Sequence, residues 1–234
     1  MSKSDYARQK LSLENDRIAR ACDKSDRART SVTLIGASKK QPPSLIQDFL
    51  DAGLSNLGEN YLQESIAKQT ELNHDAQKCP IDWHFIGQIQ SNKTKTIARH
   101  FNWVHSVDRI KIARRLGSQH LRPEPINLLI QLNPDNEATK AGVSIKSAAE
   151  LADQIAELDG VALQGFMMIP KTRETFDEQC RIFADAKNLL EQTNQHYGLN
   201  LRHLSMGMSG DLEAAIQEGS TMVRIGTDLF GARD

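Results

Sequence analysis

Two adjacent lysines, two glycine-bearing loops and one arginine carry the chemistry available in this sequence. Lys39 and Lys40 end the stretch VTLIGASKKQP, which begins as an apolar run at Val32. A lysine at a strand end can present an amine that forms a Schiff base with a carbonyl. Side chains alternate along a strand, so only one of the two enters a site. Parity groups Lys39 with Thr33, Ile35 and Ala37, and Lys40 with Leu34, Gly36 and Ser38. Neither set is clearly the interior one, and periodicity leaves the choice open. Near the C-terminus, SMGMSGDLEAAI offers Gly207 and Gly210 for close backbone approach to an anion and Ser209 as a helix N-cap. Asp211 counts against an anion there, because a carboxylate in the first turn also satisfies the helix dipole. RIGTDLFG adds Gly226 and Thr227, with two backbone donors and a hydroxyl. In MVRIG, Val223 and Ile225 suit a helix-facing side, which leaves Arg224 inward with Gly226. Such an arginine needs a partner, since burying its charge unpaired costs on the order of several kcal/mol.

A lysine, an inward arginine and an anion cradle fit two chemistries. One is a phosphorylated sugar or acid held by charge. The other is pyridoxal 5'-phosphate held through a lysine Schiff base.

These residues need a scaffold that brings both chain ends together. The segments VTLIGAS, SNLGE, DWHFIG, WVHSV, INLLIQL, VALQGFMMI, LRHLSM and MVRIG read as eight strands. Helical patterns such as SLIQDFLDAG, SAAELADQIAEL and FDEQCRIFADAKNLLEQTNQHYG lie between them. Strand–helix alternation of this length predicts an α/β fold, a single (β/α)8 TIM barrel, with an open doubly wound sheet as the alternative. Closure sets strand eight beside strand one, and so sets the lysines beside the glycine-bearing loops. No full helix fits after the last strand. The amphipathic helix within residues 1–30 is expected to cover that gap, and residues 1–234 to form one domain. KTRETFDEQCR reads as a solvated helix start.

Composition excludes several classes. The chain has 234 residues, 25% charged, and a net charge of -1, so no positive field favours nucleic acid or an anionic membrane. Cys22, Cys79 and Cys180 match no metal-ligand or redox spacing. No metal is expected. The charged N-terminus lacks a secretory pattern, which points to a cytoplasmic protein.

The motifs ASKKQP, GENYLQE, WHFIGQIQSNK, VHSVDR, LSMGMSGDLEAAI and GSTMVRIGTDLFGAR run in order from Leu34 to Arg233. Together they resemble the pyridoxal phosphate homeostasis proteins, a family related to the barrel domain of alanine racemase. The resemblance implies pyridoxal 5'-phosphate bound covalently, as an imine, to Lys39, the lysine after Ala-Ser. The family usually continues Thr-Lys-Pro, whereas this chain has Lys40, Gln41 and Pro42, so Lys40 adds a neighbouring charge. The resemblance places Asn60 near the cofactor ring and Ser205, Gly207, Ser209, Gly226 and Thr227 in the phosphate-binding segments. It sets Arg224 against the pyridine nitrogen and His84 at a strand end beside the site. Lys140 and Gly142 match the family without an assigned role. The implied function is a monomeric protein that buffers or delivers the cofactor to pyridoxal-phosphate-dependent apoenzymes. A weak amino-acid racemase is the alternative. Racemisation needs an acid–base group on each face of the substrate carbon. The chain's tyrosines, Tyr6, Tyr61 and Tyr197, offer no clear second one.

Overall fold

The computed structural model describes residues 2–72, 80–137 and 141–231. Eight parallel strands close into a barrel in sequence order: β1 (Thr33–Ala37), β2 (Asn56–Glu59), β3 (Asp82–Phe85), β4 (Trp103–Val107), β5 (Ile126–Leu132), β6 (Val161–Met168), β7 (His203–Ser205) and β8 (Met222–Ile225). Strand β8 returns to β1, with Ile35 opposite Arg224 and Gly36 opposite Ile225. The barrel expectation holds, and the open sheet does not.

Helices follow the strands on the outside: α2 (Pro43–Asp51), α3 (Leu62–Leu72), α4 (Thr94–His100), α5 (Ile110–Gln119), α6 (Ile145–Ala156), α7 (Phe176–Tyr197) and α8 (Leu212–Gln217). A single turn, α9 (Thr227–Phe230), follows β8, where no helix had been expected. The N-terminal helix α1 (Lys3–Lys24) packs across α2, α8 and α9 and so covers the gap that this short turn leaves. Its buried positions Ala7, Leu11, Ile18, Ala21 and Cys22 recur at helical spacing and form one apolar stripe. Ser2 caps it, accepting from the Asp5 amide at 3.1 Å, and Asp5 reciprocates. The solvated start of α7 has the same design, with Thr175 and Glu178 forming a capping box.

The apolar core is a shell between strands and helices, where Leu34, Phe49, Val223, Ile225 and Phe230 pack together. Among the described residues, Ile35, Leu129, Met167 and Met222 form a small apolar layer inside the barrel, with Trp103 and Ile169 packed against it. The remaining interior includes His84, His105, Ser205 and Arg224, all at most 4% exposed. Gly165 in β6 has φ +151°, and an added Cβ would lie 1.9 Å from the His203 carbonyl oxygen, so only glycine lets β6 and β7 approach there. The barrel wall is therefore an ordinary hydrophobic structure, while its lumen is polar and needs its hydrogen bonds accounted for.

Candidate cofactor site

The open parity of the two lysines is settled by Ile35. It packs in the inner layer with Met222, while Leu34 belongs to the outer shell. Thr33, Ile35 and Ala37 therefore face the lumen, and Lys39 continues that face at the C-terminal mouth. Lys40 is exposed, with φ 60°.

A cavity of about 330 Å³ opens at this mouth. Lys39, Asn60, Ser209, Arg224, Gly226 and Thr227 line it, from the ends of four different strands. Ala37, Ile86, Ile169, Met208 and Gly210 complete the wall. Ile86, Ile169 and Met208 were not foreseen, because an apolar residue just past a strand end carries no signal separating a cavity wall from a core contact. Asn60 Oδ1 is buried and has no hydrogen-bond partner among the described residues. The protein leaves that acceptor for a ligand donor.

Three expected residues lie elsewhere. His84 is 1% exposed and sits inside the barrel, in the middle of β3, stacked on Trp103 with ring centroids 5.8 Å apart. Its barrel depth comes from strand register, which the motif WHFIG does not reveal. Ser205 and Gly207 lie beneath the cavity and hold Arg224 rather than lining the site. Arg224 donates to Ser205 Oγ at 2.6 Å, and the Arg224 amide donates to the Gly207 carbonyl at 3.0 Å. Gly207, at φ +95°, also lets its loop touch α8, since an added Cβ would come within 2.7 Å of Ala215 Cβ. Ser209 does not cap α8. Asp211 occupies the N-cap position and accepts from the Met208 amide at 2.7 Å, closing the turn. Of the two matched residues near the barrel mouth, Gly142 has φ +117° beside the Leu132 backbone, and Lys140 lies outside the described residues.

Arg224 heads a hydrogen-bonded chain through the lumen. Its other guanidinium nitrogen donates to the Met168 carbonyl at 2.9 Å. An arginine has no acceptor, so Ser205 accepts from it; at the far end Asn56 Oδ1 can only accept, and with both imidazoles neutral this makes the Ser205 hydroxyl the donor to His105 Nδ1 at 2.9 Å. His105 Nε2 then donates to His84 Nδ1 at 2.9 Å, and His84 Nε2 donates to Asn56 Oδ1 at 3.0 Å. Both imidazoles are thereby fixed as neutral Nε2–H tautomers. Burial depresses His84 to about 3, and burial together with the nearby Arg224 charge holds His105 well below the usual histidine range. Burial also lowers Arg224 to about 10, opposed by Asp211, which leaves it charged at neutral pH. The partners expected for this arginine are thus neutral oxygens, with a carboxylate nearby rather than in contact.

The anion cradle is braced from outside the barrel. Arg17 of α1 donates to the Ser209 carbonyl at 2.8 Å and to Glu213 of α8 at 2.5 and 2.7 Å. It also reaches Asp228 of α9 at 3.4 Å. One side chain of the N-terminal helix therefore ties together both loops that face the cavity.

Residues 44–234 match the alanine racemase N-terminal domain family. The "Pyridoxal phosphate homeostasis protein" of Pseudomonas aeruginosa is 47% identical over 221 residues, covering 93% of this chain and 92% of its own. The chain belongs to the pyridoxal phosphate homeostasis family. The Escherichia coli K12 member is 40% identical over 96% of this chain and 95% of its own. The solved structure of PipY from Synechococcus elongatus PCC7942 with PLP bound is 34% identical, with a TM-score of 0.77, and covers 92% of this chain and 100% of that one.

Pyridoxal phosphate fits the donor set that this family member presents. The cavity combines an amine, a fixed cationic donor, loop amides with two hydroxyls, and apolar walls suited to a ring. No group of three or more histidine, cysteine or acidic residues suited to a metal occurs among the described residues.

Proposed function

We propose that this protein binds pyridoxal 5'-phosphate at the barrel mouth and buffers or delivers it, rather than catalysing a strong reaction with it. The convergence of Lys39, Arg224 and the Ser209 and Thr227 loops on one cavity carries this reading. The names and bound cofactor of its relatives support it. Lys39 supplies the amine for covalent Schiff-base attachment. Ser209, Gly226 and Thr227 hold the phosphate, with backbone amides that glycine leaves accessible. When bound, the cofactor supplies a carbonyl for amines and an electron sink. Arg224 limits that sink: it can only donate, so the ring nitrogen it faces stays unprotonated. No tyrosine lines the cavity. Tyr6 packs edge-on against Phe49, Tyr61 is half exposed before α3, and Tyr197 ends α7. An amino-acid racemase needs an acid–base group on each face, and only Lys39 is in place for one. Carriage therefore fits better than racemisation.

In this reading residues 1–234 act as one domain, as a monomer in the cytoplasm, with pyridoxal-phosphate-dependent apoenzymes as recipients. The purified, loaded protein should absorb in the visible. Borohydride reduction followed by peptide mapping should place the label on Lys39. A label on Lys40, or no visible band, would overturn the attachment. Transfer from loaded protein to a defined apoenzyme, with free cofactor trapped, tests delivery.

A further inference from the structure

Behind the Lys39 turn lies a buried charge cluster that the cavity itself does not use. Glu59 ends β2 and is fully buried, and Lys68 of α3 is 4% exposed. Glu64 sits one helical turn before Lys68. The Lys68 ammonium has three donors, and all three are engaged: with Glu59 Oε1 at 2.8 Å, Glu64 Oε1 at 2.6 Å and the Ser38 carbonyl at 2.6 Å. The Ser38 hydroxyl donates to Glu59 Oε1 at 2.6 Å, and the Lys40 amide donates to Glu64 Oε1 at 2.5 Å.

These contacts end on the residues immediately before and after Lys39. The Ser38 carbonyl also accepts from the Gln41 amide at 3.1 Å, which makes residues 38–41 a tight turn with Lys39 and Lys40 at its centre. Lys40 adopts φ 60°, a conformation that non-glycine residues take rarely, and the Glu64 carboxylate holds the amide that this conformation presents. A buried ion pair is weak evidence for stability, because apolar replacements of similar volume are often as stable. This one differs in where its hydrogen bonds go.

We propose that Glu59, Lys68 and Glu64 are positioning residues that clamp the Ser38–Gln41 turn so that the Lys39 amine meets an incoming carbonyl in one orientation. The inference rests on Lys39 as the attachment point. It separates two processes: the loops hold the phosphate, and the clamp sets how fast the covalent bond forms and breaks.

Three variants test it. Glu59→Gln with Lys68→Met removes both buried charges together, Glu64→Ala removes the contact to the Lys40 amide, and Glu64→Gln retains an acceptor. In the cofactor-free protein, the double variant should show at least about tenfold faster hydrogen exchange at the Gln41 amide, and Lys39 should change its rate of competitive acetylation by acetic anhydride. Stopped-flow absorbance should show attachment of pyridoxal phosphate slowed about tenfold or more, the size of effect that misplacing a reacting group produces. Affinity for deoxypyridoxine 5'-phosphate, which keeps the phosphate and lacks the aldehyde, should stay at the wild-type value. Glu64→Ala should show a smaller loss, and Glu64→Gln should restore it. If the double variant fails to fold, the Glu64 pair decides. Wild-type exchange and attachment rates in folded variants would overturn the clamp, as would equal losses for attachment and analogue binding. If the wild-type protein itself forms no bond at Lys39, the attachment assignment falls, while the exchange and acetylation rates still report on the turn.

Discussion

Replacing Arg224 with methionine separates a functional arginine from a structural one. The side chain is buried, and burial lowers its pKa from the ordinary arginine value to about 10. Both values lie above neutral pH, so the charged form is carried into the fold at a penalty of roughly 3 kcal/mol, at about 1.4 kcal/mol per unit. Methionine removes that penalty. It also removes two hydrogen bonds from a charged donor, to Ser205 Oγ and the Met168 carbonyl, each worth roughly 1.5–3 kcal/mol. The opposing effects leave a net loss between roughly 0 and 3 kcal/mol, or a fall in Tm of at most about 12 °C for a chain of this size. The Ser205–His105–His84–Asn56 chain survives, because every remaining donor still has its acceptor. Calorimetry on the cofactor-free protein should therefore show a modest shift. Titration with pyridoxal phosphate should show weakened binding and a displaced visible band, since the donor facing the ring is gone. A fall in Tm above about 15 °C, or loss of folding, would mean that Arg224 holds the barrel together. A folded variant with unchanged affinity and spectrum would mean that it does not face the cofactor.

Replacing both Ser209 and Thr227 with alanine should weaken pyridoxal phosphate binding about tenfold or more, from lost bonds to a charged group; unchanged affinity by equilibrium dialysis would leave the phosphate to backbone amides alone. Arg17→Ala should lower affinity for pyridoxal phosphate about threefold to tenfold, the worth of one hydrogen bond, and leave pyridoxal binding unchanged, because Arg17 braces only the phosphate loops. Acid should destabilise the fold through the lumen histidines. Between the unfolded value of 6.5 and the folded value of about 3 for His84, the unfolded chain binds the extra proton, so stability is complete above pH 6.5 and falls as the pH drops towards 3. Unfolding free energies from urea titrations at pH 7 and pH 5 should differ by roughly 2 kcal/mol on account of His84 alone, and His84→Asn should shrink that difference. Light scattering at micromolar concentration should give a monomer; a stable dimer would overturn that expectation.

The sequence alone determined the βα alternation, because eight strand-length apolar runs alternate with amphipathic helices, and pairing of β8 with β1 decided the closed barrel over the open sheet. It also determined that Arg224 faces inward. Val223 and Ile225 flank it, and a charged residue between two apolar ones has one tolerable face. The neighbouring choice between Lys39 and Lys40 was illegible for the opposite reason. Strand β1 is covered by helices on one side and by the lumen on the other, so apolar residues occupy both parities. Only closure of the barrel, which packs Ile35 against Met222 and Leu34 against the helices, makes Lys39 the inward lysine. Closure likewise draws His84 into the lumen and turns Ser205 from a phosphate ligand into a support for Arg224. The Glu64–Lys68 spacing was visible as a helical pair. Its partners, Glu59 and the Ser38 turn, come from other strands, and tertiary packing alone puts a buried charge behind the Lys39 turn.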